Sequence, residues 1–124
     1  MPTALTQHTF DRTVASGIVL VDWWAAWCGP CRGFAPVFEA ASARHPEVAF
    51  AKVDTDAEPA LAARFQISAI PTLMAFRDGV LVFRRPGAVN AQALDILVDH
   101  VRALDMAELR REAATRAPAP GRSA

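Results

Sequence analysis

Neither sign of charge prevails in this chain, because 13 basic residues stand against 13 acidic ones. Without a net field it has nothing to draw it to a polyanion or to an anionic lipid surface. Neither nucleic acid nor a membrane is therefore expected as a partner, and partners must be recognised by shape. Long apolar runs are also lacking. The longest, Ile18 to Val21 with the tryptophans that follow, falls far short of the roughly 20 residues that cross a bilayer. The opening stretch from Met1 to Phe10 has neither the basic nor the apolar region of a secretory signal, so a cytoplasmic location is expected. Cysteine is scarce, with Cys28 and Cys31 the only pair. A bridge across so short a loop would remove little unfolded-chain entropy, about 2 kcal/mol, which makes it a poor staple.

What the chain does have is enough length and apolar content, 124 residues at 52% hydrophobic, to close one core. Residues 1–111 read as one α/β domain and residues 112–124, rich in alanine and proline without a stripe, as a disordered tail. Thr3 to Thr6 reads as a short strand and Gln7 to Ala15 as a helix with Phe10 and Val14 on one face. Ile18 to Trp24 is β-branched and aromatic without polar alternation, the pattern of a strand buried on both faces. The stretch from Cys28 to Arg44 repeats apolar residues at helical spacing, with Pro36 inside it. Val48 to Val53 predicts a strand, and Pro59 to Phe65 a helix opened by proline. Leu73 to Arg77 and Val80 to Arg85 flank Asp78-Gly79, a hairpin signal that makes those strands antiparallel. Asn90 is placed to cap a helix striped by Leu94, Leu97, Val98, Val101 and Leu104. From Asp105 to Arg111 charge predominates, and that helix is expected to fray.

The chemistry concentrates at Trp27-Cys28-Gly29-Pro30-Cys31, between a buried strand and a helix, the context in which a C-x-x-C pair reads as redox-active. Unpaired N–H groups and the dipole at a helix start favour a thiolate, so Cys28 is the expected attacking thiol. Half of a zinc site is the competing reading. His8, His45 and His100 offer no ligand spacing to the cysteines, so no metal is expected.

The run Val21-Asp22-Trp23-Trp24-Ala25-Ala26-Trp27-Cys28-Gly29-Pro30-Cys31-Arg32, with Ile70-Pro71-Thr72 further along, resembles the thioredoxin family over approximately residues 3–104. The resemblance implies a thioredoxin fold, a central mixed β-sheet flanked by helices. It also implies a protein-disulfide reductase that cycles between dithiol and disulfide, with no bound cofactor beyond that disulfide, re-reduced by a thioredoxin reductase. Cys28 would attack a protein disulfide and Cys31 would resolve the mixed disulfide. Asp22, a carboxyl in an otherwise apolar strand, matches the family's buried aspartate and would take the Cys31 proton. Lys52 matches that aspartate's lysine partner; a purely structural ion pair is the alternative for both. Sequence alone makes Ile70-Pro71 trans, whereas the resemblance implies a cis bond facing Cys28. Trp27, Gly29, Pro30, Ile70, Pro71 and Gly87 would line a substrate groove, with Trp27 at the surface rather than in the core.

A monomer is expected. Gly29-Pro30 between the cysteines is similar to the dipeptide of the family's reducing members, a resemblance that implies reduction rather than an oxidase or isomerase role, and a module that merely holds partners in the groove is the alternative of another class. Two departures stand out. Pro86 falls where the family usually has an aliphatic residue, which points to altered partner choice, and Gly33 breaks a helical stretch with no functional account.

Overall fold

The chain is described by a computed structural model over residues 1–115. Its elements run β1 (Thr3–Ala4), α1 (Phe10–Val14), β2 (Ile18–Trp24), α2 (Gly29–Arg44), β3 (Ala49–Asp54), α3 (Pro59–Arg64), β4 (Thr72–Arg77), β5 (Val80–Pro86), α4 (Ala91–Ala103) and α5 (Met106–Thr115). The sheet order is β1-β3-β2-β4-β5. β1, β3 and β2 are parallel, and β4 and β5 join antiparallel to β2 and to each other. This is the expected mixed sheet, with β2 at its centre.

Burial on both faces explains why β2 lacks alternation. Val19, Val21 and Trp23 pack with Phe10, Val14 and Leu61 of α1 and α3. Leu20 turns to the other face, where Phe34 and Phe38 of α2 meet Leu94, Leu97, Val98 and Val101 of α4. Period-two geometry therefore sends Asp22 to the α2 side with Leu20 and Trp24. The Asp78-Gly79 hairpin turns with positive φ at both residues, 51° and 85°, as a type I′ turn requires. Asn90 caps α4 by accepting the Ala93 N–H at 2.8 Å, as its position predicts. Arg77 closes the other end of α4, donating to the carbonyls of Val101, Arg102 and Leu104.

Two expectations need correction. The first helix is shorter than Gln7 to Ala15, because Thr6 and Thr9 exchange hydrogen bonds in a turn that delays its start to Phe10. The chain also does not fray after Asp105. Leu104 leaves α4 in an extended conformation, and the Asp105 carboxylate accepts the Glu108 N–H at 3.0 Å, starting the separate helix α5. Met106 is buried, and Leu109 and Ala113 line a cleft shared with Val80, Leu81 and Val82 of the edge strand β5. Residues 112–115, read as the start of the tail, are thus the last residues of α5. The remainder of the expected tail, residues 116–124, lies outside the described residues.

Gly33 sits in α2, where a Cβ would meet open space. A helical glycine with room for a methyl group carries only an entropic cost. Gly33→Ala is expected to raise the free energy of unfolding by about 0.5–1 kcal/mol, measured as a higher denaturant midpoint at unchanged slope.

Candidate active site

The site forms where β2 ends and α2 begins. Cys28 is the N-cap of α2, in an extended conformation, and its sulfur accepts the Cys31 N–H at 3.2 Å. Pro30 occupies the first turn, where a missing N–H costs nothing, so the motif itself starts the helix. Helical spacing returns Cys31 to the same face. The two cysteines are bonded as a disulfide with Cα atoms 5.2 Å apart, within the normal range for such bridges. Cys28 and Cys31 are both buried and pack with Ala25, Trp24 and Ile70.

Around Cys28 the predicted groove residues come together. The Ile70-Pro71 bond is cis, as the resemblance and not the sequence statistics implied, and the Ile70 carbonyl oxygen lies 3.7 Å from the Cys28 sulfur. Trp27 is 69% exposed, which removes it from the core. Gly29 and Pro30 are exposed beside it. The Gly87 N–H donates to the Pro71 carbonyl at 2.7 Å, tying the end of β5 to the cis-proline loop. Pro86 ends β5 opposite Thr72 and is exposed.

Behind the disulfide lies Asp22, only 2% exposed. Its register partner in β3 is Lys52, whose ammonium lies 5.1 Å from the centroid of the Trp24 ring. Desolvation pushes the Asp22 carboxyl up to about 7, against a smaller downward pull from Lys52. No protein donor reaches its Oδ1. A carboxyl group that titrates near neutrality and lines one cleft with Cys31 is suited to move a proton there.

Sequence reasoning missed what orients Trp27. Its indole N–H donates to Asp56 at 3.0 Å, and Asp56 follows β3 in a turn set by the Asp54 side chain. The Asp54-Thr55-Asp56 run is a recognisable turn signal, but nothing in it points to Trp27. Among the described residues no group of His, Cys, Asp and Glu is gathered as a metal site. Nor is any helix among them long and apolar enough to cross a membrane.

A disulfide capping a helix at the rim of a mixed sheet, opposite a cis-proline, defines a thiol–disulfide oxidoreductase. The thioredoxin family model matches residues 1–100. A putative thioredoxin 2 of Streptomyces coelicolor is 50% identical over 111 residues, covering 89% of this chain and 83% of that protein. The thioredoxin of Chlamydia trachomatis is 42% identical over 98 residues, 79% of this chain and 96% of its own. Among solved structures, Plasmodium falciparum thioredoxin aligns with a TM-score of 0.73 at 32% identity, over 79% of this chain and 97% of that one. Mitochondrial thioredoxin 3 of Saccharomyces cerevisiae, in its oxidised form, gives 0.73 at 30%, over 80% and 94%. The chain belongs to the thioredoxin family, whose chemistry is dithiol–disulfide exchange through the C-x-x-C pair.

The raised pKa of Asp22 fixes a sign. Folded, the carboxyl holds its proton up to about 7; unfolded, it releases it near 3.8. The folded state binds the extra proton between those values, so this group's contribution to stability falls as pH rises through that window and is level above it. The full difference is on the order of 4 kcal/mol. Asp22→Asn is expected to stabilise the protein at about pH 8 and to change little near pH 4, checked by urea unfolding of both proteins at each pH.

Proposed function

We propose that this chain is a protein-disulfide reductase, returned to its dithiol form by a thioredoxin reductase and working as a monomer in the cytoplasm. The observation that carries the reading is the placement of the two sulfurs. Cys28 caps the helix with its sulfur 3.7 Å from the Ile70 carbonyl, and Cys31 lines a cleft between α2 and the sheet together with Asp22, whose carboxyl is pushed up to about 7.

In the first step the Cys28 thiolate attacks one sulfur of a client disulfide, and the other client sulfur leaves as a thiolate that takes a proton from water. The helix start favours the charged form of Cys28. An extended client segment lies along Trp27, the Ile70-Pro71 backbone and Gly87, adding main-chain hydrogen bonds to shape. In the second step Asp22 takes the proton of Cys31, which attacks the Cys28 sulfur. The bond from Cys28 to the client breaks and the second client thiolate leaves, so two electrons have passed to the client. Lys52 supports the ionised form of Asp22.

Client choice is assigned to the end of β5. Gly87 spends its N–H on Pro71, and Pro86 has none to give, so this edge meets a client with an apolar ring rather than a donor. Pro86→Val restores a donor worth roughly 0.5–1.5 kcal/mol. It is expected to change kcat/KM unequally across a panel of protein disulfides; a constant ratio to the parent would remove Pro86 from client selection.

The division of labour has its own test, with NADPH, a thioredoxin reductase and a model protein disulfide. Cys28→Ser is expected to abolish reduction. Cys31→Ser is expected to hold the client stoichiometrically as a mixed disulfide, seen on a non-reducing gel. Equal trapping by both variants would contradict the assignment.

A further inference from the structure

The chain leaves α3 through a left-handed residue that is not glycine, Gln66 with φ 53°. A side chain at positive φ crowds its own backbone, so such a turn persists only where its surroundings hold it. Within the turn, the Gln66 N–H donates to the Ala63 carbonyl at 3.0 Å and the Ile67 N–H to the Ala62 carbonyl at 2.9 Å. The carbonyls of Phe65 and Gln66 lie past the last helical residue and are taken up by one side chain from another element. Arg84 of β5 donates from Nη1 to Phe65 and from Nη2 to Gln66, the latter at 2.9 Å. A planar guanidinium holds two oxygens in a fixed geometry, and its charge suits the carbonyl end of a helix.

Four residues, Ile67 to Ile70, run from this clamp to Pro71. Ile67 packs on the core beneath α1 and α3, and Ile70 packs against the disulfide. With Trp27 and Thr55 the same four residues line a hollow of about 180 Å³. The β4–β5 register pairs Arg84 with Met74 and Pro86 with Thr72, so Arg84 and Pro86 share the face of β5 that looks towards α3. Arg85 pairs with Leu73 and belongs to the opposite face.

We propose that Arg84 is a positioning residue for client recognition: by tying the end of α3 to β5 it sets where the Ile67–Ile70 loop stands relative to Trp27, and so the shape of the hollow between them. The inference rests on the reading of this groove as the client site. Both bonds of Arg84 go to backbone carbonyls, so it acts through the loop and not on the sulfurs. Without the clamp Gln66 is free to relax and the loop must be ordered by each client that binds, a cost charged to binding. A protein client that spans the groove meets that cost, whereas a small disulfide that meets Cys28 alone largely escapes it.

Arg84→Met keeps an apolar stem and removes the donors, and Arg85→Met loses the same charge one residue away. Each is assayed with NADPH and a thioredoxin reductase on a model protein disulfide and on hydroxyethyl disulfide. Arg84→Met is expected to lose several-fold in kcat/KM on the protein disulfide, chiefly through KM, and much less on the small one. Arg85→Met is expected to lose less than Arg84→Met on the protein disulfide. Amide hydrogen exchange in Arg84→Met is expected to quicken at Ser68, Ala69 and Ile70 and to stay at the parent value in β2. If Arg84→Met is too unstable to assay, the double variant Arg84→Met/Gln66→Gly is read in its place. Glycine accepts the left-handed backbone without strain but ties nothing to β5, so stability is expected to return while the loss on the protein disulfide persists. A folded Arg84→Met with the parent's kcat/KM or the parent's loop exchange overturns the proposal. So does an equal loss on both substrates, an equal loss in Arg85→Met, or recovery of the protein-disulfide rate in the double variant. A parent protein that reduces neither substrate would instead overturn the reductase reading, and this inference with it.

Discussion

A carboxyl group midway along a strand covered on both faces is the constraint around which the active face is arranged. Asp22 follows Val21 and precedes Trp23, both fully buried, and is itself only 2% exposed. Its ionisation is therefore opposed by desolvation and aided by one neighbouring cation, Lys52. The β2–β3 register places that lysine opposite it, and the Trp24 ring gives the ammonium a second face to rest on. Parallel pairing, a tryptophan and a lysine thus act together on a single proton. The same period-two geometry that packs Val19 and Val21 against α1 and α3 aims this proton at α2, where the second sulfur is.

The proposed substrate side depends on backbone more than on side-chain chemistry. Three chain segments converge there: the start of α2, the cis-proline turn into β4, and the end of β5. The Gly87 N–H donates to the Pro71 carbonyl, tying β5 to the cis-proline turn, and the Ile70 carbonyl of that turn lies 3.7 Å from the Cys28 sulfur at the start of α2. Within their own segments, Cys31 donates its N–H to the Cys28 sulfur and the buried Thr72 hydroxyl donates to the Ala69 carbonyl. Trp27, the large exposed surface of this region, is held by Asp56 from a fourth segment. Such cross-ties present the groove in one shape before any partner arrives, which reduces the ordering cost of binding.

Much of this was legible in the residues. β2 announced itself because burial on both faces leaves an unbroken β-branched run, the hairpin because only particular residues accept positive φ at Asp78 and Gly79, and α4 because Asn90 precedes a continuous stripe. Asp22 was conspicuous for the opposite reason, as a charge where nothing near it in sequence explains one. The cis bond at Pro71 came from resemblance, since local sequence favours trans. What stayed hidden depends on contacts between distant segments. Nothing local links Asp56 to Trp27, and the cleft beside Asp22 is a space between α2 and the sheet, to which no single residue type testifies. α5 was misread because its apolar positions, Met106, Leu109 and Ala113, are sparse among charges and acquire meaning only beside the β5 edge.

Lys52 is the sole lysine of the chain, every other basic side chain apart from the histidines being an arginine. Guanidinium groups stay protonated and do not behave as nucleophiles at ordinary pH, whereas an ammonium can give up its proton and react. Apart from the amino terminus, the molecule therefore offers one amine, half-buried against Trp24 and paired in register with Asp22. Any acylating reagent that modifies a side chain of this protein at an amine does so at the cation that tunes its buried acid, so surface labelling through lysine and perturbation of the redox centre are here the same event.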